Sequence, residues 1–388
     1  MYRYLLFIFL LLNNSFSIIS QTLDDLSFGT EETLEIATWN IEFFPKNDAI
    51  TVNLVSQIIE NLEIDLWALQ EIDDTSLFVD MTTNLEGYEA YFDSEYYGGL
   101  VYLYNTNTIE VTDNYEIFTE ATYWRPFPRS PQVMEFNYLG EEFVIINNHL
   151  KCCGNGTLDE SDLWDEETRR RDAIGLLKLY IDSVFPDKKV ILLGDLNDSL
   201  TDSDSNNVFF QLLGDANYFA ADIAIAEGSN LNWSFPSYPS HLDHIFITNE
   251  LFESFESDNS IIETIKLDDF FTGGFSEYDT NVSDHRPVAI KLDVASTLAI
   301  NEEEYSQSNI MIYPNPSLGI TTISISRFSN EGVIQVFNMN GQKVYSTKYI
   351  NGQNIISIKT SSFPQGIYVV KQLSNNNVIG VSKLVVQN

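Results

Sequence analysis

Six apolar, strand-like runs end in, or lead straight out of, side chains that bind cations or move protons. IATWNIE delivers Asn40 and Glu42, DLWALQEI delivers Glu71, FVIINNHL delivers His149, VILLGDLND delivers Asp195 and Asn197, HLDHIFI carries Asp243, and VSDHRPVAI carries Asp284 and His285. If extended backbone continues past Gly194, Asp195 and Asn197 leave on one side, because strand side chains alternate with a period of two. A hard divalent cation takes carboxylate and amide oxygens, so Glu71 with Asn40 and Asp284 forms a candidate metal set with positions left for water and phosphate. A histidine held by a carboxylate keeps one tautomer and acts as base or acid, and His285 with Asp243 is that pair; His149 is then free to face a leaving oxygen. Taken singly, Asn40 reads as a turn cap and Glu71 as a surface strand end. Together, with Asp284-His285 set between Ser283 and Arg286-Pro287, they make the combination that phosphoester hydrolysis requires.

Other polar residues divide differently. His241 and His244 flank Asp243 and read as structural or supporting residues, since alternation points them to other faces. The run Arg169 to Arg171 reads as a solvated helix face, and Arg129, in PRSPQV ahead of a strand, is the better phosphate-binding candidate.

The elements that must position these groups are legible from periodicity. Leu34 to Asn40 reads as a strand, Thr51 to Asn61 as a helix and Ile64 to Gln70 as a second strand. Short alternating runs at Tyr88 to Phe92, Leu100 to Tyr104, Ile109 to Val111, Gln132 to Tyr138 and Glu142 to His149 suggest antiparallel strands with tight turns. A helix over Asp165 to Ser183 precedes the central strand at 190 to 195, and a helix over Asn207 to Leu213 and strands at 243 to 248 and 286 to 292 follow. The expected architecture is α+β, two packed sheets with helices outside. Residues 21 to 33 read as an acidic lead-in without periodicity, 295 to 309 as an acidic linker, and 310 to 388 as a small all-β sandwich with turn signals such as Asn340-Gly341.

Residues 1 to 20 have the charged start, apolar stretch and small-residue end of a secretory signal peptide, and no later apolar run reaches the roughly 20 residues of a spanning helix. The formal charge of -37, from 20 Lys plus Arg against 57 Asp plus Glu, repels polyanions at long range. It argues against a salt-driven nucleic-acid binder but not against a hydrolase that meets phosphate through a divalent cation and a few arginines. The only two cysteines, Cys152 and Cys153, are adjacent. Neighbouring Cα atoms lie about 3.8 Å apart, below the roughly 4.4 Å where ordinary disulfides begin, so a strained vicinal bridge and two free thiols both stay open.

These motifs also carry a resemblance. From about Leu34 to Val294 the chain resembles the endonuclease/exonuclease/phosphatase superfamily, which includes DNase I, abasic-site exonucleases and neutral sphingomyelinases, through TWNIE, LQEI, NNHLK, LLGDLND, HLDHIF and SDHRPV in order. The resemblance implies a four-layered α/β/β/α sandwich of DNase I-like fold. It implies Asn40, Glu71 and Asp284 as metal ligands, Asp195 acting on the nucleophilic water, Asn197 on phosphate, and Asp243 orienting His285. His149 then matches a second catalytic histidine, Arg129 a phosphate-contacting arginine and Tyr96 a site tyrosine, while EYYGGL near Tyr96 offers no glutamate to pair with His149. The implied cofactor is Mg²⁺, with Mn²⁺ or Ca²⁺ as alternatives. Residues from about Asn309 to Asn388 resemble the type A sorting domain of the type IX secretion system through IYPNPSLGITTI, IQVFNMNGQKVYS and FPQGIYVVK. The expectation is a monomeric phosphodiesterase, secreted or surface-attached through the outer membrane by that machinery, and acting as a nuclease on extracellular DNA or RNA. A sphingomyelinase-type phospholipase C or a phosphatase is the alternative, with the aromatic loops at 231 to 240 and 268 to 278 as a surface for lipid, and a catalytically inactive binding module is a third reading.

Overall fold

Strand β1 (Leu34–Phe44) is buried over most of its length, because its run of apolar and aromatic side chains is covered on both faces. In the computed structural model, which describes residues 21–92, 99–294, 310–325, 331–339, 341–350, 355–374 and 377–387, β1 pairs in parallel with β2 (Leu66–Ile72) and antiparallel with the last strand of its unit. The chain continues through β3 (Tyr88–Tyr91), β4 (Val101–Asn105), β5 (Glu110–Glu116), β6 (Gln132–Tyr138), β7 (Glu141–His149), β8 (Lys189–Asp195), β9 (Tyr218–Ala220), β10 (Asp243–Thr248), β11 (Ile261–Thr264) and β12 (Val288–Leu292). These form two six-stranded sheets, ordered β11-β12-β1-β2-β4-β3 and β5-β6-β7-β8-β10-β9.

Alternation along each strand divides the core into three layers. Inward residues of both sheets meet in one cluster, Ile36, Leu66 and Tyr102 facing Met134, Ile145 and Ile245. Trp39, Trp67 and Leu69 point out beneath α1 (Asp48–Leu62) and α2 (Thr75–Thr82). Ile146, Leu192 and Phe246 do the same beneath α3 (Glu166–Val184), which Asp165 caps by accepting from the Thr168 amide at 2.8 Å. The result is the four-layered α/β/β/α sandwich. Between the sheets, one step below the strand ends, Gln70 Nε2 donates to Asn147 Oδ1 at 2.8 Å, Asn147 Nδ2 to the Leu69 carbonyl at 3.0 Å, and the Asn147 amide to the Tyr102 hydroxyl at 2.8 Å. Buried polar bonds of this kind fix register, since a slip of one residue would strand each of them in an apolar layer.

Some expectations change. Residues 21 to 33 are not a loose lead-in: Leu23, Leu26 and Phe28 are buried against α1, the Gly29 amide donates to the Leu62 carbonyl at 2.7 Å, and Asn61 Nδ2 donates to the Leu23 carbonyl at 2.8 Å. The helix expected over Asn207 to Leu213 is the single turn Phe210–Leu213. The arginine run is not a solvated face either, because Arg169 and Arg170 are buried, Arg169 donating to the Arg125 carbonyl at 2.6 Å. Only Arg171 keeps a more open position, paired with Glu160. The adjacent charges sit around a helix whose loop-facing side is covered, which sequence spacing does not reveal.

The chain forms two compact units, Met1–Ser296 and Thr297–Asn388. The second holds β13 (Ile310–Tyr313), β14 (Ile320–Ile325), β15 (Glu331–Asn338), β16 (Lys343–Ile350), β17 (Ile355–Lys359), β18 (Gly366–Ser374) and β19 (Asn377–Val386). They form antiparallel sheets β13-β14-β17 and β16-β15-β18-β19 around Ile323, Ile334, Val336, Ile358 and Val370. Among the described residues no helix is long and apolar enough to cross a membrane.

Candidate active site

The ends of β1, β2, β7, β8 and β10 converge at one edge of the two sheets, and the ladder registers bring their polar residues together. His149 on β7 and Asp243 on β10 both pair with Asp195 on β8, one from either side. Asn40 sits across the sheet gap, its Nδ2 donating to Asp195 Oδ2 at 3.0 Å and to Glu71 Oε1 at 3.2 Å. Glu71 is carried in the left-handed region (φ 59°) and accepts from the Phe43 amide at 3.2 Å. A backbone held there without glycine is strained, a cost that tends to be tolerated at functional sites.

His285 Nδ1 lies 2.7 Å from Asp243 Oδ2, and its Nε2 lies 3.8 Å from Asp195 and 4.0 Å from Asp284. Ser283 locks this arm by donating to the Asn40 carbonyl at 2.6 Å and accepting from the His285 amide at 3.0 Å. His149 Nε2 stands 3.5 Å from Asp195 Oδ2 and 3.8 Å from Glu71 Oε1, while its Nδ1 has no partner. Asn197 does not continue the strand as extended backbone: it turns into the left-handed region (φ 56°), its amide donating to Asp195 Oδ1 at 3.1 Å and its side chain to the Leu150 carbonyl at 3.3 Å. Both Asp195 and Asn197 nonetheless line the same cleft, of about 720 Å³, together with Asn40, Glu71, His149, Asp284 and His285.

Arg129 is half-buried and outside that lining, but its charge reaches His149 and Asp73. Tyr96 lies outside the described residues. Of the aromatics in the two loops, Trp233 and Phe235 line the cleft, and Phe235 packs on His285 with ring centroids 4.8 Å apart. Phe270 and Phe271 pack against the sheet core instead. His241 and His244 converge on Asp222, apart from the Asp243 carboxylate. Glu42, which the sequence places at this strand end without a role, lines the cleft, accepts from the Asp284 amide at 3.0 Å and pairs with Lys46. Its place two residues past Asn40, on the same alternating side, was the available signal.

Burial sets the electrostatics. It pushes the Asp195 carboxyl up to about 6, with Asp243 and Glu71 adding to burial and His285 opposing. Asp284 is pushed to about 7 by burial and by Glu42. For His285, burial favours the neutral ring, but Asp243, Asp195 and Asp284 together outweigh it and raise it to about 10. His149 moves the other way, well below the usual histidine range, through burial, Arg129 and His285. One histidine is thus cationic and the other neutral within a single pocket.

A cation is what the remaining atoms call for. Asn40 Oδ1, Asp243 Oδ1 and Asp284 Oδ1 are buried without a hydrogen-bond partner, and unpaired buried oxygens are costly unless something positive meets them. Carboxylate and amide oxygens are the donors a hard divalent ion takes, so this site fits such an ion.

The model of the Endonuclease/Exonuclease/phosphatase family matches residues 37–285, and that of the Secretion system C-terminal sorting domain matches 311–387. Among solved structures, D. rerio TDP2 complexed with a single-strand DNA product is 13% identical, covers 68% of this chain and 99% of its own, and superposes with a TM-score of 0.51. The Bacteroides thetaiotaomicron mannosyl-6-phosphatase (15% identity, 67% and 99% coverage, TM-score 0.46) and the human Nocturnin catalytic domain with bound sulfate (15%, 68% and 95%, 0.46) are also similar. No curated protein matches the chain. The sorting domain indicates export by type IX secretion, to the outer-membrane surface or beyond it. The chain belongs to the endonuclease/exonuclease/phosphatase family of phosphoester hydrolases.

Proposed function

We propose that this exported chain is a phosphodiesterase that hydrolyses nucleic acid with Mg²⁺ or Mn²⁺. The observation that carries the reading is the open set of buried oxygens facing a cationic His285 and a desolvated Asp195 across one cleft. Asn40, Glu71 and Asp284 would hold the ion, which when bound would supply neutralisation of phosphoryl oxygens and a lowered pKa for water. Asp195, with a carboxyl near 6, takes the proton of the attacking water. His285, fixed by Asp243 at 2.7 Å, presents its Nε2 proton to the charge that grows on phosphate, and the hydrogen-bonding group of Asn197 completes that cradle, with the Arg129 charge acting from outside the cleft lining. His149 is neutral, so it serves by hydrogen bonding towards the leaving oxygen rather than as a standing acid.

The lining of the cleft favours single strands over duplex. Phe43, Trp233, Phe235 and Tyr238 line it, and aromatic faces stack on unpaired bases. Among the described residues Arg170 is the one arginine or lysine that lines the cleft, and it is itself bound to Asp198 at 2.8 Å, so these residues offer no cationic track for a duplex backbone. The test is incubation of the purified chain with single-stranded and duplex DNA and RNA and with sphingomyelin vesicles, with Mg²⁺ or Mn²⁺, against EDTA and Asp195→Ala. Cation-dependent cleavage of single strands, lost in both controls, is expected. Turnover of sphingomyelin alone would replace the nuclease reading with a phospholipase C.

A further inference from the structure

The loop that follows β7 into the cleft wall carries Cys152 and Cys153, whose sulfurs are 2.9 Å apart and unbridged. Both line the cleft, Cys153 exposed and Cys152 half-buried. They are the only cysteines among 388 residues, so within one chain each can be oxidised to a disulfide only with the other. The sorting tail sends the chain out of the reducing cytosol, where thiols are no longer kept reduced.

The surroundings assign the two sulfurs different parts. Cys153 donates its hydrogen to Cys152, and the Lys151 ammonium lies 3.8 Å from Cys152 Sγ. The proton is held on Cys153, whose thiol is pushed up first by that hydrogen bond and then by burial. Cys152, the acceptor beside a cation, is therefore the attacking sulfur. The backbone is braced around the pair: Arg170 donates to the Lys151 carbonyl at 2.7 Å and the Cys153 carbonyl at 2.8 Å. Cys153 already stands in the left-handed region (φ 72°), and Gly154 follows at φ 106°. Closing a ring between neighbours acts on the peptide joining them and moves two of the side chains that line the cleft.

We propose that Cys152 and Cys153 form a redox modification site, a vicinal disulfide that closes in the presence of a peroxide and reopens with a thiol reductant. The Cys152 thiolate attacks a peroxide oxygen and breaks the O–O bond, giving a sulfenic acid and hydroxide, which takes a proton to become water. Cys153 gives up its proton and attacks the Cys152 sulfur, the S–OH bond breaks, and a second water leaves. Two thiols and one hydrogen peroxide thus become one disulfide and two waters. The strain of bridging Cα atoms only about 3.8 Å apart makes the bond easy to reduce again.

The test treats the full exported chain with hydrogen peroxide, alkylates it without reductant and maps its peptides by mass spectrometry. A bridged Cys152–Cys153 peptide that returns to two alkylated thiols after dithiothreitol is expected. In Cys153→Ser, dimedone should trap a sulfenic acid at Cys152. Two alkylatable thiols after peroxide, a disulfide between chains, or trapping at neither position would overturn the assignment. These readouts need no substrate, so they stand apart from the proposed nuclease activity. If that activity is present, oxidation should shift KM for bis(4-nitrophenyl) phosphate by about threefold or more, equivalent to about 0.7 kcal/mol, reversibly in the native chain and not at all in a Cys152→Ser, Cys153→Ser double variant.

Discussion

Strand β10 borders two buried clusters built from the same residue types, and they differ in whether their hydrogen bonds and charges close. On one side Asp222 lies between His244 at 2.6 Å and His241 at 3.0 Å. Its other oxygen accepts from the Ile245 amide at 3.0 Å, and His244 Nε2 reaches the Asp198 carbonyl at 2.8 Å. Every polar atom of Asp222 and His244 has a partner, and His241 accepts from the Ser234 amide at 3.2 Å, so the one atom of this cluster without a hydrogen bond is His241 Nε2, 3.0 Å from Asp222 Oδ2. On the other side Asp195, Asp243 and Asp284 surround a single cationic His285, Glu71 lies 3.8 Å from His149, and Asn40 Oδ1, Asp243 Oδ1, Asp284 Oδ1 and His149 Nδ1 are left without a hydrogen-bond partner. A closed cluster is an internal brace, whereas an open one keeps coordinating capacity for something that arrives from outside. Side-chain chemistry alone does not separate brace from site; the three unsatisfied acceptor oxygens of Asn40, Asp243 and Asp284, against none in the Asp222 cluster, do.

The sharpest way to break the comparison is to remove one carboxylate from each side. Asp195→Ala should lower hydrolysis by on the order of 10⁴-fold in single-turnover assays, with the fold kept by circular dichroism. A residual rate within about tenfold of the parent would remove Asp195 from the chemistry. Asp222→Ala should do the reverse kind of damage, leaving a buried His244 without its counter-charge at a cost of about 3–5 kcal/mol, read by urea denaturation. If Asp222→Ala is as stable as the parent, the brace does not exist.

Cation binding gives the next contrast. At a free Mn²⁺ concentration about 100 times its dissociation constant, the parent should gain about 2.7 kcal/mol of stability. Glu71→Gln should lose most of that gain, whereas His244→Asn should keep it. The smallest effect is in pH. Without divalent cation, Asp195 and Asp284 titrate near 6 and 7 in the fold, above their unfolded value near 3.8. The unfolded chain therefore releases those protons first as pH rises, so these two groups make stability fall from about pH 4 to 7. Asp222, held below its usual range because the two histidines together outweigh burial, contributes the opposite slope, present above its unfolded value and lost as pH falls through and below it. Asp195→Asn should flatten the fall, and Asp222→Asn should flatten the acid limb, in melts across pH with EDTA.

The site was legible in the sequence because apolar strands that stop at polar residues announce a sheet edge, and ladder register then brings those edges together. His149, Asp195 and Asp243 illustrate this, being register partners across three neighbouring strands. What was hidden depended on contacts far apart in sequence. Nothing local marks Arg170 as the buried brace of Lys151, Cys153 and Asp198, or Leu23 and Phe28 as core residues under α1. The αL turn at Asn197 likewise follows from tertiary placement, since a strand pattern extrapolates straight through it. Short elements such as α2 and β9 carry too few residues for a period to show.

The account turns on the open cluster holding a cation, and isothermal titration of Mn²⁺ into the purified chain at pH 7 tests it most directly. One binding event with proton release, from the carboxyls at Asp195 and Asp284 that burial has raised, is the predicted result, absent in Glu71→Gln and retained in His244→Asn. A titration without binding heat at any buffer ionisation enthalpy, or one unchanged in Glu71→Gln, would contradict it.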